Sequence, residues 1–349
     1  MLDDPKTFRE VMSQVDSAQW IAALKIEYEN LRRKGVLKEV CIPHERRRSI
    51  GSKLVFKDGK MSKYKVRLCA KGFTQVEGEG YNERFAHVAR MNTIRLFLKI
   101  SVSKMHKRRT ADWLAAFCNR YLNEELYMNP PEMWEVKEGN TLKLVHALYG
   151  TKQAGRSWYQ QLKDYMINEL KLIMCDSDQC VFYRKDYRLL ILLYVDDVII
   201  SYKYEKDYQV LISKIKTDFE IGDEGELSWY LGDKIEDNGE YIQISQKEYI
   251  NKIIQKYEIT GLEDTPMIKD YAVTKSDKDK LFEEFNIKSK IGSLMYVAVC
   301  TPPDIMFAIS YIARFTNHPN KDVCKFINII FKYLNATKDY SLKFRKREC

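Results

Sequence analysis

"LLILLYVDDVIIS", residues 189–201, decides how this chain is read. Seven apolar residues run into Asp196 and Asp197, and three more apolar residues follow. A continuous apolar run broken by a polar pair fits a buried strand, a turn and a second buried strand. Two explanations compete for the acids. Asp is favoured in turns because its side chain bonds nearby backbone N–H groups, yet tight two-residue hairpins prefer a central Gly and none is here. Alternatively, two carboxylates on a rigid hairpin make a preorganised cation site, since Mg²⁺ takes oxygen ligands, usually one or two carboxylates plus substrate phosphates. Taken alone, the local pattern favours the turn. Two-ion phosphoryl transfer would need a further carboxylate, and Asp112 in "TADWLAAF" is the candidate.

Outward from that stretch, helical and strand patterns alternate. Trp20, Leu24, Tyr28 and Leu31 share a helical face in a helical first 40 residues, with Gly35 as the stop. Strand patterns at "KLVF" and "YKVRLCAKGF" flank "KDGKMSK", a basic hairpin tip. Helical periods return at 92–104, 159–170 and 208–219, while 180–202 reads as three strands joined by turns. Beyond "QKEYINKIIQKYE" the pattern is mainly helical. The fold class expected is therefore α+β with a mainly helical C-terminal part.

The composition is that of a folded protein with a sizeable core: 349 residues, 45% hydrophobic, 31% charged. The net charge of +9 suits a polyanionic partner without demanding one, and basic clusters lie at 44–48, 104–109 and 343–347. The eight cysteines form no C-x-x-C pair, which argues against a zinc site and for free thiols in a reducing compartment. The longest apolar run is those seven residues, far short of the ~20 that span a bilayer, so no membrane partner is expected.

"YVDD" (194–197) resembles the metal-binding box of reverse transcriptases. "YKVRLCAKGFTQ" (64–75), "FAHVARMNTIRL" (85–96), "LYGTKQAGRSWY" (148–159), "LSWYLGDKIE" (227–236), "GSLMYVAVCTPPDIMFAIS" (292–310) and "KYLNATKDYSL" (332–342) are similar, in order and spacing, to one family. That family is the reverse transcriptase segment of copia-type retrotransposon Pol polyproteins. The resemblance runs from about Asp4 to the C-terminus, and it overturns the turn reading of the two acids.

The resemblance implies a right-hand polymerase with fingers, a palm built on an antiparallel sheet, and a thumb. Residues 1–48 would be a helical lead-in, 49–235 fingers and palm, and 236–349 thumb and helical connection. It implies catalytic carboxylates at Asp112, Asp196 and Asp197 that hold two Mg²⁺ ions, with Mn²⁺ as a substitute. It implies nucleotide contacts at Lys65, Arg67, Phe117, Gln153 and Tyr194, where Phe117 would exclude a ribose 2′-hydroxyl. Leu231 and Gly232 would grip the primer. The implied partners are an RNA or DNA template with its primer and deoxynucleoside triphosphates; the implied location is the cytoplasm, in a virus-like particle.

The chain also departs from the family pattern. The strand before Asp112 reads "HKRRTAD" where apolar residues are usual, and such charges are expected to resist burial. Trp113-Leu114-Ala115 replaces V-K-T, Arg120 a loop glycine, His87 and Gly155 prolines, and Pro302 an arginine. Gly222 stands where a lysine would protonate pyrophosphate, and the hairpin at "KDGKMSK" is short. With no ribonuclease H, integrase or protease region, the chain is expected to be a fragment or a truncated product. The alternatives are a diverged, inactive retroelement remnant that at most binds nucleic acid, and an unrelated palm-type nucleotidyl transferase or cyclase, against which the finger and primer-grip boxes argue.

Overall fold

A computed structural model describes residues 4–41, 49–59, 63–114, 118, 121–222, 225–268, 273, 286–301, 303–317 and 320–346. Elements are numbered along the chain. The 189–201 stretch forms the centre of a six-stranded antiparallel sheet. In order across the sheet the strands are β11 (Gly225–Glu226), β4 (Lys107–Asp112), β10 (Asp197–Tyr202), β9 (Leu189–Tyr194), β8 (Val181–Tyr183) and β7 (Ile173–Met174).

The apolar run is continuous because both faces of this sheet are covered. On one face Phe182, Ile191, Leu193, Val198 and Ile200 pack with Trp158 and Leu162 of α4 (Ala154–Asn168) and Tyr208 and Leu211 of α5 (Glu205–Asp218). On the other, Leu190, Leu192 and Ile199 meet Ile94, Leu98 and Val102 of α3 (Met91–Ser103). That second face also meets a four-stranded sheet of β12 (Trp229–Tyr230), β13 (Asp233–Asp237), β14 (Tyr241–Ser245) and β15 (Leu342–Arg345).

A third core joins the N-terminal helices to two smaller sheets. These are β1 (Leu37–Cys41), β6 (Asn140–His146) and β5 (Tyr121–Met128), and the hairpin of β2 (Ser52–Gly59) with β3 (Lys63–Ala70). Short α1 (Phe8–Ser13) leads into α2 (Ser17–Arg33), whose Trp20, Leu24, Tyr28 and Leu31 are buried, as their spacing predicts. Gly35, at φ +62°, ends α2; its N–H reaches Arg32 O and the Val36 N–H reaches Leu31 O, so the last carbonyls are satisfied. The C-terminal helices α6 (Lys247–Lys256), α7 (Ile287–Cys300), α8 (Met306–Ala313) and α9 (Lys321–Thr337) enclose a core of their own around Leu294, Ile309, Ile327 and Phe331.

The α+β expectation is borne out, with three local differences. Residues 37–41 are not helical: Leu37–Cys41 pairs with β6. Residues 342–345 return from the helices to pair with β14, so the C-terminal part contributes a strand to a sheet begun before it. The division expected between residues 235 and 236 falls inside β13.

The charged segment before Asp112 is a further correction. It forms β4, in the sheet's interior between β10 and β11. Alternate residues of a strand face opposite sides, so its two arginines separate. Arg108 is buried and holds Asp237 with a two-pronged contact, Nε at 2.5 Å and Nη2 at 2.6 Å. Arg109 faces the α5 side, where its Nε donates to Tyr202 Oη at 3.2 Å and its guanidinium lies 5.0 Å from the Tyr208 ring centre. Each charge meets a partner that becomes available only on folding, and this removes the desolvation objection. Within the 104–109 cluster His106 and Arg108 are thus buried and Arg109 is half-buried, while Lys104 and Lys107 stay exposed; the cluster at 44–48 lies outside the described residues.

Candidate active site

The turn between β9 and β10 contains two residues, Val195 and Asp196, because Tyr194 pairs with Asp197. The two acids therefore occupy different structural positions: Asp196 is in the turn and Asp197 begins the strand. Val195 takes the first central position at φ +57°, where a glycine is normally preferred. A β-branched residue in this region is strained. Trp158, buried beneath, donates its indole N–H to Val195 O at 3.0 Å and so fixes the turn.

On the neighbouring strand Asp112 pairs with Asp197. The Trp113 N–H bonds Asp196 O at 3.0 Å, so the Asp112–Asp197 pair is the non-hydrogen-bonded position of the ladder. There Cα atoms approach to ~4.5 Å and side chains stand closest. Asp112 is held on its other side by the Gly222 N–H, which bonds Asp112 O at 2.7 Å. Trp113 follows it into a cluster of edge-on rings with Trp158 and Phe219, so this departure from the family pattern fills the core under the site.

The electrostatics follow from that crowding. Burial, then the Asp112 charge, raises the Asp196 carboxyl to about 6; Asp197 adds to the rise, while Arg67 and Lys65 oppose it. Asp112 is raised by burial and drawn back by Lys65 and Arg67. Asp197 sits at an exposed strand end, yet partial burial and then Asp112 raise its carboxyl too. Like charges this near raise one another's pKa, and a cation relieves them.

Asp112 borders two cavities. The first, about 330 Å³, contains Asp112, Asp196, Lys65, Arg67, Tyr149 and Glu27 in its wall. The second, about 450 Å³, lies on the Asp197 side and is bordered by Asp112, Asp197, Trp229, Leu231 and Gly232. Lys65 and Arg67 alternate along β3 and reach the first cavity together, Arg67 with its guanidinium 4.9 Å from the Tyr149 ring centre. Tyr149 is brought there by a close backbone crossing: Ala70 N–H bonds Tyr149 O at 2.7 Å. A Cβ on Gly72 would come within 2.0 Å of Gly150 O, and one on Gly150 within 2.2 Å of Ala70 O, so both must be glycine.

Leu231 and Gly232 are the two-residue turn between β12 and β13, at φ +52° and +85°. Both central residues with positive φ is the signature of a type I′ hairpin. Tyr296 of α7 donates its hydroxyl to Leu231 O at 2.8 Å, which ties the turn to the C-terminal helices.

Other expected residues stand elsewhere. Gln153 is buried away from both cavities; its amide donates to Gly80 O at 3.0 Å and accepts from Gln75 at 3.0 Å, so its side chain serves a structural knot here. Tyr194 packs edge-on against Tyr230, at 6.4 Å between ring centres, on the Asp197 side. Phe117 lies outside the described residues. Sequence reasoning passed over Glu27, Tyr149, Trp158 and Glu220. Tyr149 and Trp158 fall inside the "LYGTKQAGRSWY" box and were legible there; Glu27 and Glu220 have no local signal.

A divalent cation fits the donor set. The carboxylates offer hard oxygen ligands, and Asp196 Oδ1 is buried with no hydrogen-bond partner. Among the described residues, no group of three or more His, Cys, Asp or Glu side chains is drawn together as a ready-made cage. Asp112, Asp196 and Asp197 instead straddle a ridge, with Asp196 on one side, Asp197 on the other and Asp112 reaching both.

Residues 35–269 match the family described as reverse transcriptase (RNA-dependent DNA polymerase). The chain is 33% identical over 365 residues, 98% of its length, to the retrovirus-related Pol polyprotein from transposon TNT 1-94 of Nicotiana tabacum. It is 29% identical over 300 residues, 83% of its length, to that from transposon RE1 of Arabidopsis thaliana. It spans 27% and 20% of those two proteins. These are copia-type polyproteins, as the sequence boxes indicate. A solved foamy viral protease–reverse transcriptase in complex with double-stranded DNA covers 94% of this chain, which covers 49% of it. The two chains are 10% identical, with a TM-score of 0.49.

Proposed function

This chain belongs to the reverse transcriptase (RNA-dependent DNA polymerase) family, and from that premise we propose that it extends a primer on an RNA or DNA template with deoxynucleoside triphosphates. One observation carries the reading: β4 stays in register despite its charges and sets Asp112 opposite Asp197. Asp196 stands one residue away with an unpartnered oxygen, and Lys65 and Arg67 share its cavity.

In this reading the six-stranded sheet is the palm, the β2–β3 hairpin belongs to the fingers, and the C-terminal helices are the thumb. Asp112, Asp196 and Asp197 would hold two Mg²⁺ ions, with Mn²⁺ as a substitute. When bound, the metal supplies acidity to the primer 3′-hydroxyl and offsets charge on the leaving pyrophosphate. The chain's own residues do the positioning. Lys65 and Arg67 draw the triphosphate into the first cavity, and the guanidinium fork suits phosphate oxygens. The Leu231–Gly232 turn, across the second cavity from Asp197, holds the primer end. Asp112, shared by both cavities, is where the two substrates meet. Trp158 fixes the turn that presents Asp196, and Tyr149 steadies Arg67.

No helix among the described residues is long and apolar enough to cross a membrane. We place the activity in the cytoplasm, within a retrotransposon particle, by analogy with the transposon polyproteins. Primer extension with Mg²⁺ tests the reading. Product from the wild type and none from Asp196→Asn is expected. No wild-type product, or equal product from the variant, overturns it and favours an inert remnant that at most binds nucleic acid.

A further inference from the structure

The first cavity has a wall that the polymerase reading leaves without a role. It is helix α2 with its C-terminal cap, which contributes Glu27, Asn30, Arg33 and Lys34 to the lining. This helix precedes residue 35, where the family match begins. Its buried face is explained by packing. Its cavity face is not, because Glu27 puts a carboxylate into a space that already contains Asp112 and Asp196 and is to receive a triphosphate.

Three contacts give that carboxylate a purpose. Among the described residues strand β3 pairs only with β2, and no ladder forms there on its outer edge. Glu27 Oε1 accepts the Leu68 N–H at 3.1 Å, and so pins that edge to α2. Leu68 follows Arg67 directly, and the charges of Arg67 and Lys65 both act on Glu27. At the far end of the helix, Arg33 and Lys34 each reach Glu220 at 3.1 Å. The Glu220 carbonyl in turn accepts the Leu114 N–H at 3.0 Å, two residues beyond Asp112. The helix thus braces the cavity from the cation strand on one side to the Asp112 strand on the other.

Resting on the polymerase reading, we infer that α2 is part of the nucleotide site. Glu27 acts there as a positioning residue, setting where Lys65 and Arg67 meet the triphosphate. A carboxylate is suited to this because it can bind the strand edge and balance the two cations while the cavity is empty of substrate. On entry the phosphates replace it as the cations' counter-charge, while the bond to Leu68 keeps β3 in place.

The test uses the full chain and four forms: wild type, Glu27→Gln, Arg67→Met and the double variant. Primer extension gives KM and kcat for deoxynucleotide, and calorimetry gives affinity for inorganic tripolyphosphate. Glu27→Gln keeps the acceptor for Leu68 and removes the charge that competes with the phosphates, so it is expected to lower KM about tenfold, leave kcat within about twofold, and tighten tripolyphosphate to match. That effect should vanish in the Arg67→Met background, since Glu27 acts through that cation; a merely structural role would be additive instead. An unchanged KM with active wild type overturns the inference and leaves the polymerase reading standing. Inactive wild type whose tripolyphosphate binding still depends on Glu27 sinks the polymerase reading but supports the positioning role. Tripolyphosphate binding indifferent to Glu27 overturns the role in either case.

Discussion

Asp112 and Asp197 face each other as the non-hydrogen-bonded pair of the ladder between β4 and β10. Like charges directly opposite on a sheet face are destabilising, by ~0.2–1 kcal/mol per pair. A fold maintains such a pair only where something else gains from it. Asp197→Asn should therefore raise the urea midpoint in EDTA by an amount worth up to about 1 kcal/mol, and abolish primer extension. Added Mg²⁺ should stabilise the wild type more than the variant. Equal midpoints in EDTA would show that the two carboxylates do not oppose each other in solution.

Arg108 and Asp237 form the contact that lets a basic strand lie inside the sheet. Removing one partner leaves the other buried and uncompensated, so Arg108→Met should cost ~3–5 kcal/mol in denaturant unfolding. Replacing both, as Arg108→Met with Asp237→Leu, should recover most of that loss. If the single variant is as stable as the wild type, β4 is not held in this way.

Val195 carries the strain of the turn between β9 and β10. Val195→Gly removes a left-handed penalty of ~1–2 kcal/mol and should raise the denaturation midpoint. The looser turn should lower kcat for extension, because Asp196 is then less firmly presented. A fall in stability would mean that Val195 contributes more by packing than it costs by strain.

Asp233 follows the Leu231–Gly232 turn, is buried, and has an Oδ1 with no hydrogen-bond partner. Burial raises its carboxyl to about 7, against the opposing effects of Gln246 and Arg95. The folded protein then holds a proton that the unfolded chain releases near pH 4. Its contribution to stability is full below that pH and is lost as pH rises towards 7, on the order of a few kcal/mol in total. Asp233→Asn should flatten the wild-type slope of unfolding free energy between pH 4 and 7. Identical slopes in the two proteins would place this carboxyl in water.

The hairpin, its buried strands and the helical face of Trp20, Leu24, Tyr28 and Leu31 were legible because each is a local pattern. An apolar run repeats its character residue by residue, and four spaced side chains mark one helix face. The boxes around "YVDD" named the three carboxylates and the hairpin turn at Leu231–Gly232 for the same reason. What lay beyond reading was every answer supplied from a distant part of the chain. "HKRRTAD" looked unfit for a sheet because Asp237, Tyr202 and Tyr208 are not its neighbours in sequence. Residues 37–41 and 342–345 became strands because β6 and β14 offered them unpaired edges. Gln153, expected at the nucleotide, is instead bonded to Gly80 and Gln75. The sequence by itself determined which residues are chemically able to act. Only the tertiary structure decided which of them meet, because desolvation, ion pairing and strand register are settled between segments far apart along the chain.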